Sequence, residues 1–186
     1  ERRSGECLAI MEGHTDNVTG ALELKEGQLV SWAGSVGSKD KTLRIWDARS
    51  GKCLAKLEGH TGGISNALEL QNGCLLSWAG GVGSQDKTLR IWDARGGKCL
   101  EVLEGHTTCV YGAVEMKNDR LLSWSEDRTL RLWDAKGAVK RQMLDGHSSK
   151  VTSKVNETLK LKDGRFLSCS WDGTMRLWNP RSCACL

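Results

Sequence analysis

The 186 residues suffice for one domain with a substantial core. A net charge of +4, from 27 basic and 23 acidic side chains evenly mixed along the chain, argues against a nucleic-acid surface, which needs clustered Lys and Arg. No apolar run approaches the roughly 20 residues of a membrane helix, and no signal-peptide pattern stands at the start. Eight Trp accompany one Tyr, one Phe, one Pro and 22 Gly. A few fixed roles are therefore filled repeatedly by the same residue types, which implies internal repetition.

In chain order, the opening Glu1-Arg2-Arg3 lacks a Met, which suggests excision from a longer polypeptide or processing. Residues 6–12 are predicted as a β-strand, because Arg3-Ser4-Gly5-Glu6-Cys7-Leu8 aligns with Arg49-Ser50-Gly51-Lys52-Cys53-Leu54. Four units follow at residues 13–58, 59–104, 105–145 and 146–186. Each contains short β-type stretches separated by Gly, Asn or Asp turns. In the first unit these are strand a from Val18 to Leu24, strand b from Gln28 to Trp32, strand c from Thr42 to Trp46 and strand d from Cys53 to Leu57. Units one and two lengthen the b–c loop by five residues, through Ala33-Gly34-Ser35-Val36-Gly37 and Ala79-Gly80-Gly81-Val82-Gly83. Unit four carries four extra residues near Ser153 to Asn156 and stops as its strand d begins.

Each unit opens on Gly-His, at His14, His60, His106 and His147. Each closes strand c on Trp followed by Asp or Asn, at Trp46, Trp92, Trp133 and Trp178, spaced 46, 41 and 45 residues apart. A period of about 40–45 with these two signatures describes four-stranded propeller blades. On these residues, and on the segment LSWSEDRTLRLWD at 122–134, the chain resembles the WD-repeat β-propeller family. The implied fold is all-β, with four WD-type repeats forming blades of four antiparallel strands.

An Asp lies six residues before each closing Trp, at Asp40, Asp86, Asp127 and Asp172. A Ser lies in each strand b, at Ser31, Ser77, Ser123 and Ser168. With the four His and four Trp these are similar to the family's buried Asp–His–Ser–Trp tetrad. The chemistry is coherent: an indole N–H only donates, a hydroxyl accepts it, and a neutral imidazole links the hydroxyl to the carboxylate. Ser, His and Asp together also resemble a hydrolase triad. Four copies at one repeat position argue for the structural role, so no catalytic residue, metal or cofactor is expected. The Gly34-to-Lys39 loop lacks the Gly-Lys-Ser/Thr ending and following helix of a phosphate-binding loop.

Cys7, Cys53 and Cys99 share one repeat position, too far apart on successive blades to bond. Thiols in a reducing cytoplasm are expected. The resemblance implies partner recognition on the d–a and b–c loops, at Asp16, Asn17, Lys39, Gly63, Gln85, Thr108, Glu126, Ser149, Lys150 and Trp171. Three arrangements stay open: an excerpt of a longer propeller, a two-copy ring of eight blades, or closure of four blades alone. The favoured function is a protein-interaction scaffold that self-associates by blade completion. A regulatory sensor domain within a larger signalling protein is the alternative.

Overall fold

The computed structural model describes residues 7–34, 37–80, 84–116, 119–134, 142–144, 147, 161, 163–170, 172–179 and 184–185. Blade one comprises β1 (Val18–Glu23), β2 (Gln28–Ala33), β3 (Leu43–Asp47) and β4 (Cys53–Leu57). Blade two comprises β5 (Ile64–Glu69), β6 (Leu75–Ala79), β7 (Leu89–Trp92) and β8 (Cys99–Leu103). Blade three comprises β9 (Val110–Glu115), β10 (Arg120–Ser125), β11 (Leu130–Asp134) and β12 (Gln142–Leu144). Blade four shows β13 (Phe166–Cys169), β14 (Met175–Asn179) and β15 (Ala184–Cys185). Each sheet runs in sequence order with antiparallel neighbours.

The second strand of blades one to three is covered on both faces, and all of β6 is buried. A sheet that is apolar on both sides must stack on others. Three cores form this way. The first joins blades one and two, with Val30, Trp32 and Leu43 meeting Ile64, Ala67 and Trp92. The second joins blades two and three, with Leu76, Trp78 and Leu89 meeting Val110, Ala113 and Trp133. The third joins blades three and four, where Leu122, Trp124 and Leu130 meet Phe166 and Trp178. In every case the closing Trp of one blade fills the seam with the blade before it.

Polar clasps reinforce two seams. The Lys25 N–H donates to Glu69 Oε2 at 3.0 Å, and the Gln71 N–H donates to Glu115 Oε2 at 2.9 Å. Gly112 lets strand β9 lie on an indole: a Cβ there would sit 2.1 Å from Trp124 Cζ2. The tight b–c turn of blade four places Gly173 at φ 79°, whereas blade three holds Arg128 at φ 69° in the same place. A left-handed non-glycine residue strains the turn by roughly 1 kcal/mol.

One expectation needs correction. The strand predicted at 6–12 is not formed, since residues 7–14 carry no regular structure. A strand needs a hydrogen-bonded neighbour, and residues 7–12 pair with none of the described strands. The segment is nevertheless placed like an outer strand. Ala9 lies against Gly51 as Ala55 lies against Gly97, one repeat further on. Unit four's extra residues 153–156 lie outside the described residues.

Candidate functional site

The Gly-His turn, strand b and strand c of each blade converge on one buried network. In blade one, His14 Nδ1 lies 2.8 Å from Asp40 Oδ2, and His14 Nε2 lies 2.8 Å from Ser31 Oγ. Trp46 Nε1 donates to the same Ser31 Oγ at 2.8 Å. Blade two repeats this through His60, Asp86, Ser77 and Trp92 at 2.7–2.8 Å. Blade three uses His106, Asp127, Ser123 and Trp133 at 2.7–2.8 Å. In blade four His147 lies 3.1 Å from Asp172 and 2.7 Å from Ser168, which accepts from Trp178 at 2.7 Å.

Each Asp also closes its own loop. Its Oδ2 accepts the N–H of the residue after the His in three blades, at Thr15, Thr61 and Thr107, over 2.7–2.9 Å. Its Oδ1 accepts the hydroxyl of the Thr two residues on, at Thr42, Thr88, Thr129 and Thr174, over 2.6–2.7 Å. These Thr are fifth members that sequence reasoning missed. The available signal was Asp-x-Thr, present in all four units.

These bonds hold the Asp40 carboxyl down to about 2, against an opposing push from burial. Asp86 and Asp127 are held well below the ordinary carboxylate range despite burial, by their His and Thr partners. Burial pushes the His106 imidazole below its usual 6.5, outweighing the pull of Asp127. Neutral His106 then donates from Nδ1 to Asp127 and accepts at Nε2 from the Ser123 hydroxyl, which in turn accepts the Trp133 N–H. Two stages of acid loss follow. The unfolded chain protonates the His106 imidazole more readily, so stability falls as pH drops below about 6.5. The depressed Asp carboxyls contribute stability above 3.8, and Asp40's share is lost as pH falls from there through about 2. Urea midpoints measured from pH 8 to pH 2 check both limbs; a flat profile between pH 7 and 5 contradicts the first.

A second buried indole series behaves differently. The Nε1 atoms of Trp32, Trp78 and Trp124 are buried without a hydrogen-bond partner among the described residues. Trp133→Phe therefore removes a made bond, whereas Trp124→Phe removes an unmade one. The first substitution is expected to destabilise more than the second by about 1–2 kcal/mol, measured as paired urea unfolding curves. Equal losses would contradict the network's energetic role.

Chemically, the Ser hydroxyls are poor nucleophiles. Ser77 and Ser123 have no solvent exposure, and each already receives an indole N–H. Among the described residues no cluster of His, Cys, Asp and Glu is arranged to hold a metal.

The predicted rim residues group by blade. Asp16 Oδ2 accepts the Lys39 N–H at 3.0 Å, tying the d–a loop to the b–c loop beside exposed Asn17. In blade two, Gly62 allows a similar approach, since a Cβ there would stand 2.4 Å from Ser84 Oγ; Gly63 is half-buried and Gln85 exposed. In blade three, Thr108 Oγ1 lies 3.2 Å from Ser125 Oγ, and Cys109 Sγ donates to Glu126 Oε2 at 3.2 Å. Ser149, Lys150 and Trp171 lie outside the described residues.

Against known proteins, the model of the WD domain, G-beta repeat, matches residues 5–47, 51–93, 97–134 and 138–179. No curated protein matches this sequence. Among solved structures, the computationally designed Ika4 protein is similar at 27% identity and TM-score 0.71, over 94% of this chain and 98% of Ika4. The computationally designed Ika8 protein is similar at 28% identity and TM-score 0.71, over 92% of this chain. This chain spans 48% of Ika8's length.

Proposed function

The chain belongs to the WD domain, G-beta repeat family, and from that premise we propose a non-catalytic protein-interaction scaffold, half of an eight-bladed ring that a second copy completes. The carrying observation is a pair of matching bare faces. Leu43 and Ile64 share the seam between blades one and two, and Leu89 and Val110 share the next. In the repeat, Met175 stands where Leu43, Leu89 and Leu130 stand, and Val18 stands where Ile64 and Val110 stand. Ile64, Val110, Leu43 and Leu89 are 0% exposed and Leu130 is 1%, whereas Val18 is 55% and Met175 72% exposed.

The neighbours of these two residues agree. Ala21 is exposed where Ala67 and Ala113 are buried. Leu167, Cys169 and Leu177 are only half-buried where Leu76, Trp78 and Ile91 are buried. Glu23 is exposed, while its equivalents Glu69 and Glu115 each clasp the preceding blade. Apolar faces of this kind mark association sites. Blades four and one thus present the two halves of a seam that the chain builds three times internally. Two copies related by a twofold axis through the ring centre would close it.

Recognition of a protein partner is assigned to the rim, where Lys39, Gln85 and Glu126 occupy one position with different charge while the tetrads stay constant. The described cysteines are free thiols, which fits a reducing cytoplasm. No helix among the described residues is long and apolar enough to cross a membrane. Sedimentation equilibrium tests the ring. The expected mass is twice the chain's 20.4 kDa; a cooperatively melting species of single-chain mass would overturn it.

A further inference from the structure

We propose that a groove on blade one binds an acidic peptide segment through its carboxylates. This rests on the scaffold reading but not on ring closure, because one chain supplies every wall. A cavity of about 240 Å³ opens where β3, β4 and the link from Glu58 to His60 meet. Lys39, Lys41, Arg44 and Lys56 line it. Lys56 pairs with Glu58, the one exposed acid of the lining. Asp40 also lines the groove, but it is buried and both its oxygens are engaged by His14, Thr15 and Thr42. The ammonium groups of Lys39 and Lys41 are exposed and have no ion-pair partner among the described residues. The lining therefore carries two more positive than negative charges, against walls of protein that focus the field.

The repeats show what is particular to this groove. Arg44 recurs as Arg90, Arg131 and Arg176, so it belongs to the framework. Lys39 and Lys56 do not recur: blade two has Gln85 and Val102 at those positions, and blade three has Glu126 in place of Lys39. Lys41 recurs as Lys87 and Arg128, so Lys39 and Lys56 are what make the groove of blade one more cationic than its counterparts in blades two and three. A nucleic-acid backbone requires a continuous basic track, and the change from Lys39 through Gln85 to Glu126 interrupts one. A short stretch of Asp or Glu side chains matches both the size and the charge.

The test uses the full chain and fluorescein-labelled hexaglutamate, read by fluorescence anisotropy, with hexalysine and a short single-stranded DNA as parallel probes. The variant Lys39→Gln with Lys56→Val installs the residues blade two already carries at these positions. Hexaglutamate is expected to bind saturably, about tenfold more weakly to the variant, and more weakly as salt is raised. Absence of saturable binding, equal affinity in both proteins, or tighter binding of the DNA would overturn the proposal. Sedimentation mass and melting temperature of the variant are measured alongside. Lost peptide binding with both unchanged locates the effect in the groove, and a peptide that never binds a protein of the expected mass leaves the scaffold reading standing.

Discussion

Trp92→Ala is expected to lower the free energy of unfolding by about 3–5 kcal/mol. The indole is 1% exposed and sits in the seam with Val30, Leu43 and Ile45 of blade one. Burying a Trp contributes roughly 4–6 kcal/mol as an upper bound, and a seam of two rigid sheets collapses little around the hole. The Ala variant also deprives Ser77 Oγ of the donor now 2.8 Å away, leaving a fully buried hydroxyl short of a partner. Against a typical domain stability of about 5–15 kcal/mol, this is a large fraction. Stacked repeats couple mainly to their neighbours, so a weakened first seam should also broaden the transition. Leu54→Ala serves as the control: that side chain is half-exposed on the outer strand β4 and should shift stability by no more than about 0.5 kcal/mol. Equal midpoints for the two variants in guanidinium unfolding would remove the Trp wedge from the account of this fold.

Much of the framework was legible because it repeats. Strand β4 runs over the residues expected for it, and β1 to β3 differ by a residue at their ends, since Gly27 and Gly51 mark their turns with positive φ. The members of each tetrad lie within hydrogen-bond reach because fixed spacing in sequence becomes fixed register in a sheet: Ser31 pairs with Arg44 across β2 and β3, which sets Trp46 at the distance its indole needs. What was not legible depends on neighbours rather than on local pattern. Thr42 and its equivalents read as ordinary strand-start residues until the Asp carboxyl oxygens are assigned partners. Segment 7–12 has a strand's sequence but no strand's hydrogen bonds, because pairing is a property of two segments. Nor does Val18 differ in kind from Ile64 or Val110; only the packing shows that it is left 55% exposed where they are fully covered.

That contrast supports the second large effect. Val18→Lys combined with Met175→Lys is expected to convert a particle of twice 20.4 kDa into one of single-chain mass in sedimentation equilibrium. At Ile64 or Leu89, inside a seam, a Lys would strand its ammonium among apolar side chains and unfold the chain. At Val18 and Met175 the same side chain keeps its charge in water as long as the faces stay apart. The substitutions therefore tax association rather than folding: docking would desolvate two cations facing each other across the closed seam, at a cost of several kcal/mol. The melting temperature extrapolated to low protein concentration should match the parent's, where the parent is also dissociated. Ile64→Lys separates the alternatives, because it should abolish cooperative folding at every concentration. If the double variant retains the parent's mass, blades one and four do not meet across a copy boundary, and the eight-bladed ring is excluded.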